Sequence, residues 1–404
     1  MRCINLDWLE VYALEPIEQG LNAEYFRAKG WHVEERDYGT RIYEEMFTLY
    51  DHETDYKLLE IRRHPKQKDG AILPLNAVHI RLTNRTCYYD NAAKILKDFM
   101  QMYNYEFVRI SRVDICLDFE RFDFGDDPQK FIYRYMKGKY SKINQANIHA
   151  HGDDNWNQRE WYSLSWGSIK SAIGTKLYLK TKELKEVSDK PYIRYSWFLC
   201  GLVDNPNTLQ KRKADGQIYE PDIWRLEFSI RSDVRGWFVY EKDGDFRQKR
   251  SIKNTLEMYM GKPALIAIFN SLQEHYFHFR KYDSAKTKYQ CERKVLFDFG
   301  TDEEIMKIQH PSSDLKPVSF DMRLLKYLQT YLNKITGKEE RDACNKLIEY
   351  ISNTDQSRIL ENPYSKIQLQ ALQMAIAEKM AGSEEDVTCI IKNIINKLNI
   401  NEIF

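Results

Sequence analysis

The stretch SRVDICLDFE, residues 111–120, restricts the fold more than any other in the chain. Val113, Ile115, Leu117 and Phe119 fall on one parity, and Arg112, Asp114, Cys116, Asp118 and Glu120 on the other. Successive side chains of a β-strand point to opposite faces, so the segment predicts a strand that buries an apolar face and lines up carboxylates on its reverse. Carboxylates stacked on one face repel each other, and they need a cation, a metal or water to stay there. Which of these is present decides what the face can do.

Two further segments repeat the pattern. In TKLYLK, residues 175–180, Leu177 and Leu179 oppose Lys176, Tyr178 and Lys180. In IWRLEFSIR, residues 223–231, Trp224, Leu226, Phe228 and Ile230 oppose Arg225, Glu227, Ser229 and Arg231. If the three strands share a sheet, one face packs on helices and the other gathers Asp114, Asp118, Glu227, Tyr178, Lys176, Lys180 and Arg225. Taken singly, such a strand is a solvated face, and any one of the 27 tyrosines is a packing residue. Taken together, the acids form an oxygen-rich site suited to Mg²⁺ or Mn²⁺ acting as a Lewis acid on a phosphodiester. Tyr178 is a candidate nucleophile. A free phenol is only about 0.1% ionised at neutral pH, and flanking lysines or a metal would raise that fraction. Arg225 has the geometry to clamp a phosphate.

A chain of 404 residues predicts two or three domains. A net charge of +1 excludes a uniformly basic nucleic-acid binder while leaving room for local patches. The seven cysteines are scattered with no metal-ligand spacing, which predicts reduced thiols in a cytoplasm. The N-terminal residues do not form a signal peptide, and no window approaches ~18 continuous apolar residues, so the expectation is a soluble cytoplasmic protein with no membrane partner.

Up to about residue 300 the chain alternates strand-like and helix-like stretches, an α+β or α/β rhythm. AVHIRL (Ala77–Leu82) reads as a strand, Asp90 as the cap of a helix through Tyr103, and Asp126-Asp127-Pro128 as a helix start. Residues 143–160 read as a polar loop, the region between TKLYLK and IWRLEFSIR as irregular, and about residues 263–279 as a long helix. Two prolines and a serine pair within residues 308–319 mark a boundary, so the predicted domains are 1–305 and 320–404. The second is all-helical, with apolar periodicity at Leu324 to Ile335, Ala371 to Ile376 and Val387 to Leu398.

Residues 161–183, WYSLSWGSIKSAIGTKLYLKTKE, resemble the replication initiation factor family of rolling-circle plasmids, the Rep-trans type. There a "T-x-Y-x-G-S-x-x-S" strand and turn leads into "R-x-Y-D-K-x-x-E". Trp166, Gly167, Ser168 and Ser171 occupy the turn, and Tyr178, Lys180 and Glu183 match the Tyr, Lys and Glu. Arg112, Asp114 and Asp118 match the family's "R-x-D-x-x-x-D". Trp224, Arg225 and Glu227 match its "W-x-R-x-E" with one spacer residue missing, and LDWLEV, residues 6–11, is similar to its opening strand. Order and spacing agree over roughly the first 240 residues. Leu179 departs from the usual polar residue, and the C-terminal helices have no counterpart.

The resemblance implies an antiparallel-rich sheet flanked by helices, related to the HUH endonucleases. It implies a replication initiator or relaxase of a plasmid or mobile element, in which a tyrosine attacks origin DNA, forms a 5′-phosphotyrosine link and frees a 3′-hydroxyl. On this chain that assigns Tyr178 as nucleophile, with Tyr162, Tyr192 and Tyr195 as nearby alternatives. It assigns Asp114, Asp118 and Glu227 as ligands of Mg²⁺ or Mn²⁺, and Lys180 and Arg225 as phosphate-stabilising groups. Origin DNA is the expected partner, with a helicase and a second copy of the chain as further expectations.

His149-Ala150-His151 is read as a surface loop rather than the paired histidines of HUH enzymes, and His275 and His278 as part of a packed or surface helix. Basic clusters at Lys211 to Lys213 and Arg247 to Lys253, beside Trp237, Phe238, Tyr240 and Phe246, are candidate DNA contacts. Two competing readings stay open: a non-cleaving, sequence-specific DNA-binding regulator on the same fold, and a metal nuclease in which water attacks and no adduct forms.

Overall fold

The computed structural model describes residues 1–66, 73–142, 147–155, 158–167, 171–243, 246–287, 290–300, 308–311, 324–325, 328–329, 331–353, 372, 375–376 and 387–397. Contacts divide the chain into two compact units, Met1–His64 with Leu75–Leu315, and Pro65–Pro74 with Lys316–Phe404.

The first unit is a mixed α+β structure built on a ten-stranded sheet. Its strands are β1 (Arg2–Leu14), β2 (Val33–Glu35), β3 (Tyr43–Tyr50), β4 (Lys57–Pro65), β5 (Ala77–Leu82), β6 (Glu106–Phe119), β8 (Ile148–Asn155), β9 (Gln158–Trp166), β10 (Ile173–Leu179) and β13 (Trp224–Arg231). The short strands β7 (Tyr140–Lys142), β11 (Lys211–Arg212) and β12 (Ile218–Tyr219) lie outside it. The order across the sheet is β2-β3-β4-β5-β1-β6-β13-β10-β9-β8. The central pairs β1 with β6, β6 with β13, β13 with β10 and β10 with β9 are all antiparallel.

The parity of the sequence becomes the two faces of this sheet. Leu117 and Leu226 are register partners on the apolar face, and Arg225 and Asp118 on the polar one. The apolar face is covered by helices α3 (Ala92–Met102), α4 (Pro128–Met136) and α7 (Lys262–His275), whose Leu96, Phe99, Phe131, Ile268 and Phe269 join one core with Val113, Ile115, Leu177 and Phe228. Phe228 meets Phe269 edge-on at 4.9 Å. The polar face is partly covered too. Helices α5 (Lys180–Glu186) and α6 (Pro191–Leu199) bring Leu184, Ile193 and Trp197 into a smaller cluster with Cys3 and Ile223. Of the short helices α1 (Ala23–Ala28) and α2 (Asn84–Cys87), α2 precedes Tyr88, which borders the same cluster.

α4 begins where Asp127 and Pro128 place it. Asp127 accepts from the Lys130 backbone N–H at 2.7 Å, and Pro128 occupies the first turn, where no N–H is needed. Replacing Asp127 with alanine removes that acceptor, and the expected cost is about 1 kcal/mol, read as a lower unfolding midpoint in urea. An unchanged midpoint would show the cap to be redundant.

Several elements differ from the sequence reading. Within the stretch read as a loop, residues 148–155 and 158–160 belong to the antiparallel strands β8 and β9. β8 is an edge strand, which tolerates polar residues on both faces and so lacks alternation. His149 and His151 are therefore on a strand, opposite Ser165 and Ser163. The region after TKLYLK holds α5 and α6, too short to show apolar periodicity and interrupted by Pro191 at the start of α6. The N-cap position of α3 is Asn91 rather than Asp90, without a side-chain cap bond, and α7 stops at His275, before strand residues Phe279–Lys281.

In the second unit, helices Lys338–Asn353 and Val387–Lys397 share a core of Leu324, Leu328, Cys344, Leu347, Ile391 and Ile395. The first of these helices is absent from the sequence reading, although Ala343, Cys344, Leu347, Ile348 and Ile351 recur at helical spacing. The predicted turn residue Ser168 and most of residues 354–386 lie outside the described residues. All seven cysteines are free thiols. Among the described residues no helix is long and apolar enough to cross a membrane.

Candidate active site on the polar face of the sheet

Cross-strand register brings the predicted residues to one face. Tyr178 pairs with Arg225 and Lys176 with Glu227 between β10 and β13. Arg225 pairs with Asp118 and Ser229 with Asp114 between β13 and β6. Lys180 follows Tyr178 by one residue pair and opens α5, with its side chain 1% exposed.

What keeps the carboxylates together is guanidinium and ammonium. Arg225 is fully buried, and its Nε and Nη2 donate to the Asp118 oxygens Oδ1 and Oδ2 at 2.6 and 2.7 Å. Nη1 donates to Asp7 Oδ1 at 2.9 Å, and Nη2 also donates to the Tyr88 hydroxyl at 2.7 Å. Asp118 accepts a further bond from the Trp197 indole at 2.7 Å, and Tyr88 donates to Asp7 at 2.8 Å. Burial pushes the Asp7 carboxyl up, but Arg225 and Lys180 outweigh it and hold the group below its ordinary value. Asp114 is gripped by Arg112 at 3.0 and 2.5 Å, and here burial prevails and raises the carboxyl.

The predicted metal ligands Asp114, Asp118 and Glu227 do not offer a divalent ion a shared set of open oxygens. The oxygens of Asp118 and Asp114 are taken by Arg225, Trp197 and Arg112, and Glu227 accepts from Tyr178. Among the described residues no group of three His, Cys, Asp or Glu is arranged to hold a metal. The residues as placed do not fit a resident ion. Arg225, assigned to phosphate from sequence, is enclosed and committed to Asp118 and Asp7 rather than open to a substrate.

Tyr178 lies at the edge of this network and opens on a cleft of about 430 Å³, lined also by Glu227, Lys176, Lys182, Ser163 and His151. Its hydroxyl donates to Glu227 Oε2 at 3.2 Å, and the Lys180 ammonium lies 3.4 Å from it. Lys180 is held by Glu183 at 2.6 Å, and Glu183 is shared with Lys190 at 3.3 Å. Burial lowers the Lys180 ammonium and Arg225 adds to the effect. Burial pushes the Glu227 carboxyl up to about 7, with Asp114 and Asp7 adding to it. The flanking lysines do not activate the phenol in advance. Burial raises Tyr178 well above its ordinary value, and the Glu227 charge adds to that. A neutral phenol against a carboxyl that titrates near neutrality can lose its proton only as part of a reaction, by transfer to that carboxyl.

The alternative tyrosines are placed differently. Tyr162 lines the cleft with Lys182 at 4.3 Å from its ring. Tyr192 packs edge-on against Tyr88 at 5.1 Å, and Tyr195 is 55% exposed on α6. His151 reaches the cleft, while His149 is exposed on the same strand. Sequence reasoning missed Asp7, Tyr88 and Trp197. Asp7 falls at a register shift between Leu6 and Trp8 that breaks strand parity, and Tyr88 and Trp197 carried no signal.

No family model matches the chain, and no curated protein matches it. Among solved structures, the chain is similar to a rolling circle replication initiator protein from Geobacillus stearothermophilus, with 12% identity, coverage of 73% of this chain and 94% of that chain, and a TM-score of 0.41.

Proposed function

We propose that the protein nicks and rejoins single-stranded DNA at a replication origin by transesterification at Tyr178. The observation that carries the reading is the contact of the Tyr178 hydroxyl with Glu227 on one side and the Lys180 ammonium on the other, at the mouth of a cleft that Lys176 and Lys182 line together with Glu183 and Glu186. The motif order from Asp114 through Tyr178 to Glu227 supports the same reading.

Glu227, ionised, takes the phenolic proton as the Tyr178 oxygen attacks phosphorus. The bond from phosphorus to the 3′-oxygen breaks, the 3′-oxygen takes a proton from solvent water, and the 5′-phosphate stays on the tyrosine. Lys180 balances the negative charge that develops on the phenol oxygen, and Lys176 and Lys182 meet the phosphate oxygens. Attack of the 3′-hydroxyl on the phosphotyrosine reverses every step, so rejoining needs no nucleotide cofactor. Arg225, Asp118, Asp7 and Trp197 position the strands that carry the reacting groups.

The test is incubation of the protein with labelled single-stranded DNA containing the origin of its own element, followed by a denaturing gel. A DNA–protein species that survives denaturation is expected. Cleavage without that species would favour water attack, and salt-dependent binding without cleavage would favour the regulator.

The pH profile follows from Glu227. A base must be deprotonated, so the nicking rate is expected to rise with pH through about 7 and to level off above it. The stability effect has the opposite sense. The folded value of about 7 lies above the unfolded one, so ionisation of Glu227 costs stability as pH rises from ~4.3 through that value. Glu227→Gln cannot ionise. It is expected to lose about 10²- to 10⁴-fold in nicking rate while unfolding at a higher temperature than the parent at pH 8. A flat rate between pH 6 and 8 would remove Glu227 from the role of base.

A further inference from the structure

At the end of the polar face away from Tyr178, arginines crowd together with too few acids to balance them. Arg231 closes β13 directly opposite Arg112 of β6. Arg109, earlier on β6, lies 5.1 Å from the Tyr12 ring. Arg235 follows β13 through a tight turn closed by the Val234 N–H on the Arg231 carbonyl at 2.9 Å. Burial lowers the Arg235 guanidinium to about 10, and the neighbouring Arg109 adds to that effect while Asp233 opposes it.

Arg112 has its partner in Asp114. Arg109, Arg231 and Arg235 make no ion pair among the described residues, and the Nε of each is buried without a hydrogen-bond acceptor. Like charges directly opposite on a sheet are destabilising, and each buried donor left unpaired costs about 1–3 kcal/mol. The chain balances the other end of the same face closely, with Arg225 on Asp118 and Asp7. The excess here is matched to an anion that comes from outside.

We propose that Arg109, Arg231 and Arg235 form a second phosphate-binding site, which holds the backbone of the DNA strand several nucleotides from the bond that Tyr178 attacks. The proposal rests on the nicking reading for the identity of the strand. Tyr178 is the register partner of Arg225, and from Arg225 to Arg231 β13 rises about 20 Å, or about six stacked nucleotides and fewer extended ones. Gly174 stands opposite Ser229, and a Cβ on Gly174 would meet only the Ser229 Cβ, at 3.8 Å. Guanidinium groups suit this role because their planar donors match phosphate oxygens. Contacts to phosphate alone predict affinity without base preference at this end of the strand.

Binding is measured with the full chain carrying Tyr178→Phe, so that no cleavage intervenes, by anisotropy of labelled single-stranded DNA of about four and about twelve nucleotides over a salt series. The parent is expected to bind the longer strand at least about tenfold more tightly. Arg231→Gln and Arg235→Gln are each expected to weaken binding of the longer strand several-fold, to erase much of the length preference, and to reduce the salt slope by about 0.7. Arg231→Lys and Arg235→Lys keep the charge and are expected to keep most of the slope, which separates lost phosphate contact from lost folding. Length-independent binding in the parent, or glutamine variants with the parent's slope and affinity, would overturn the proposal. Failure of the nicking reading shows elsewhere, as absence of the covalent adduct in the Tyr178-containing protein, and leaves these slopes interpretable.

Discussion

Under the proposed mechanism, Tyr178→Phe is expected to abolish the covalent DNA–protein species and to lower nicking by about 10⁴-fold or more, the scale seen when a member of a nucleophile and base pair is removed. The substitution deletes one oxygen and keeps the ring, so the packing under the Lys180 ammonium, 5.2 Å from the ring centroid, is retained. What is lost is the atom that joins Glu227 to Lys180. The variant should therefore bind single-stranded DNA and unfold near the parent's temperature while forming no adduct. Tyr195→Phe, on the exposed side of α6, serves as the companion and should form the adduct at the parent's rate. An adduct in Tyr178→Phe that disappears in Tyr162→Phe would move the nucleophile to the other cleft-lining tyrosine.

The second large effect falls on stability. Arg225→Met removes the cation that joins Asp118, Asp7 and Tyr88 inside the protein. A buried ion pair broken from one side leaves an uncompensated charge, and the usual cost is about 3–5 kcal/mol. The expected result is a large drop in the denaturation midpoint, partly recovered when Asp118→Leu is added, because that change removes one of the stranded charges. The pH dependence has a defined sign. Asp7 is held below its ordinary value by Arg225 and Lys180, against burial, so its contribution is present above the unfolded value near ~3.8 and is lost as pH falls through the lowered folded value. Arg225→Met should lose that acid-dependent part of the unfolding curve. A midpoint within about 1 kcal/mol of the parent's would mean that the guanidinium does not hold this face together.

The parity of β6, β10 and β13 was legible because register converts a sequence alternation directly into shared faces. Asp118 meets Arg225, and Glu227 meets Lys176, with no further information needed. The identity of the compensating cation was not legible. Arg225 reads equally well as an open phosphate clamp or as an internal counterion, and only the cover supplied by Trp197 and Tyr88 separates the two. That cover comes from α6 and from the residues after α2, which are joined to the site by tertiary packing rather than by any spacing. Asp7 was hidden by the register shift beside it, which turns a residue of the apolar parity toward the charges. The β8–β9 hairpin was hidden because an edge strand carries no burial pattern, and with it went the place of His151 beside the cleft.

The contact between Tyr178 and Glu227 bears on direction as well as speed. A carboxyl half-titrated near pH 7 accepts and surrenders a proton with almost equal ease, so under the proposed mechanism Glu227 would favour neither cutting nor sealing. On that reading the balance between cut and sealed strands would be set by whatever carries the freed 3′ end away.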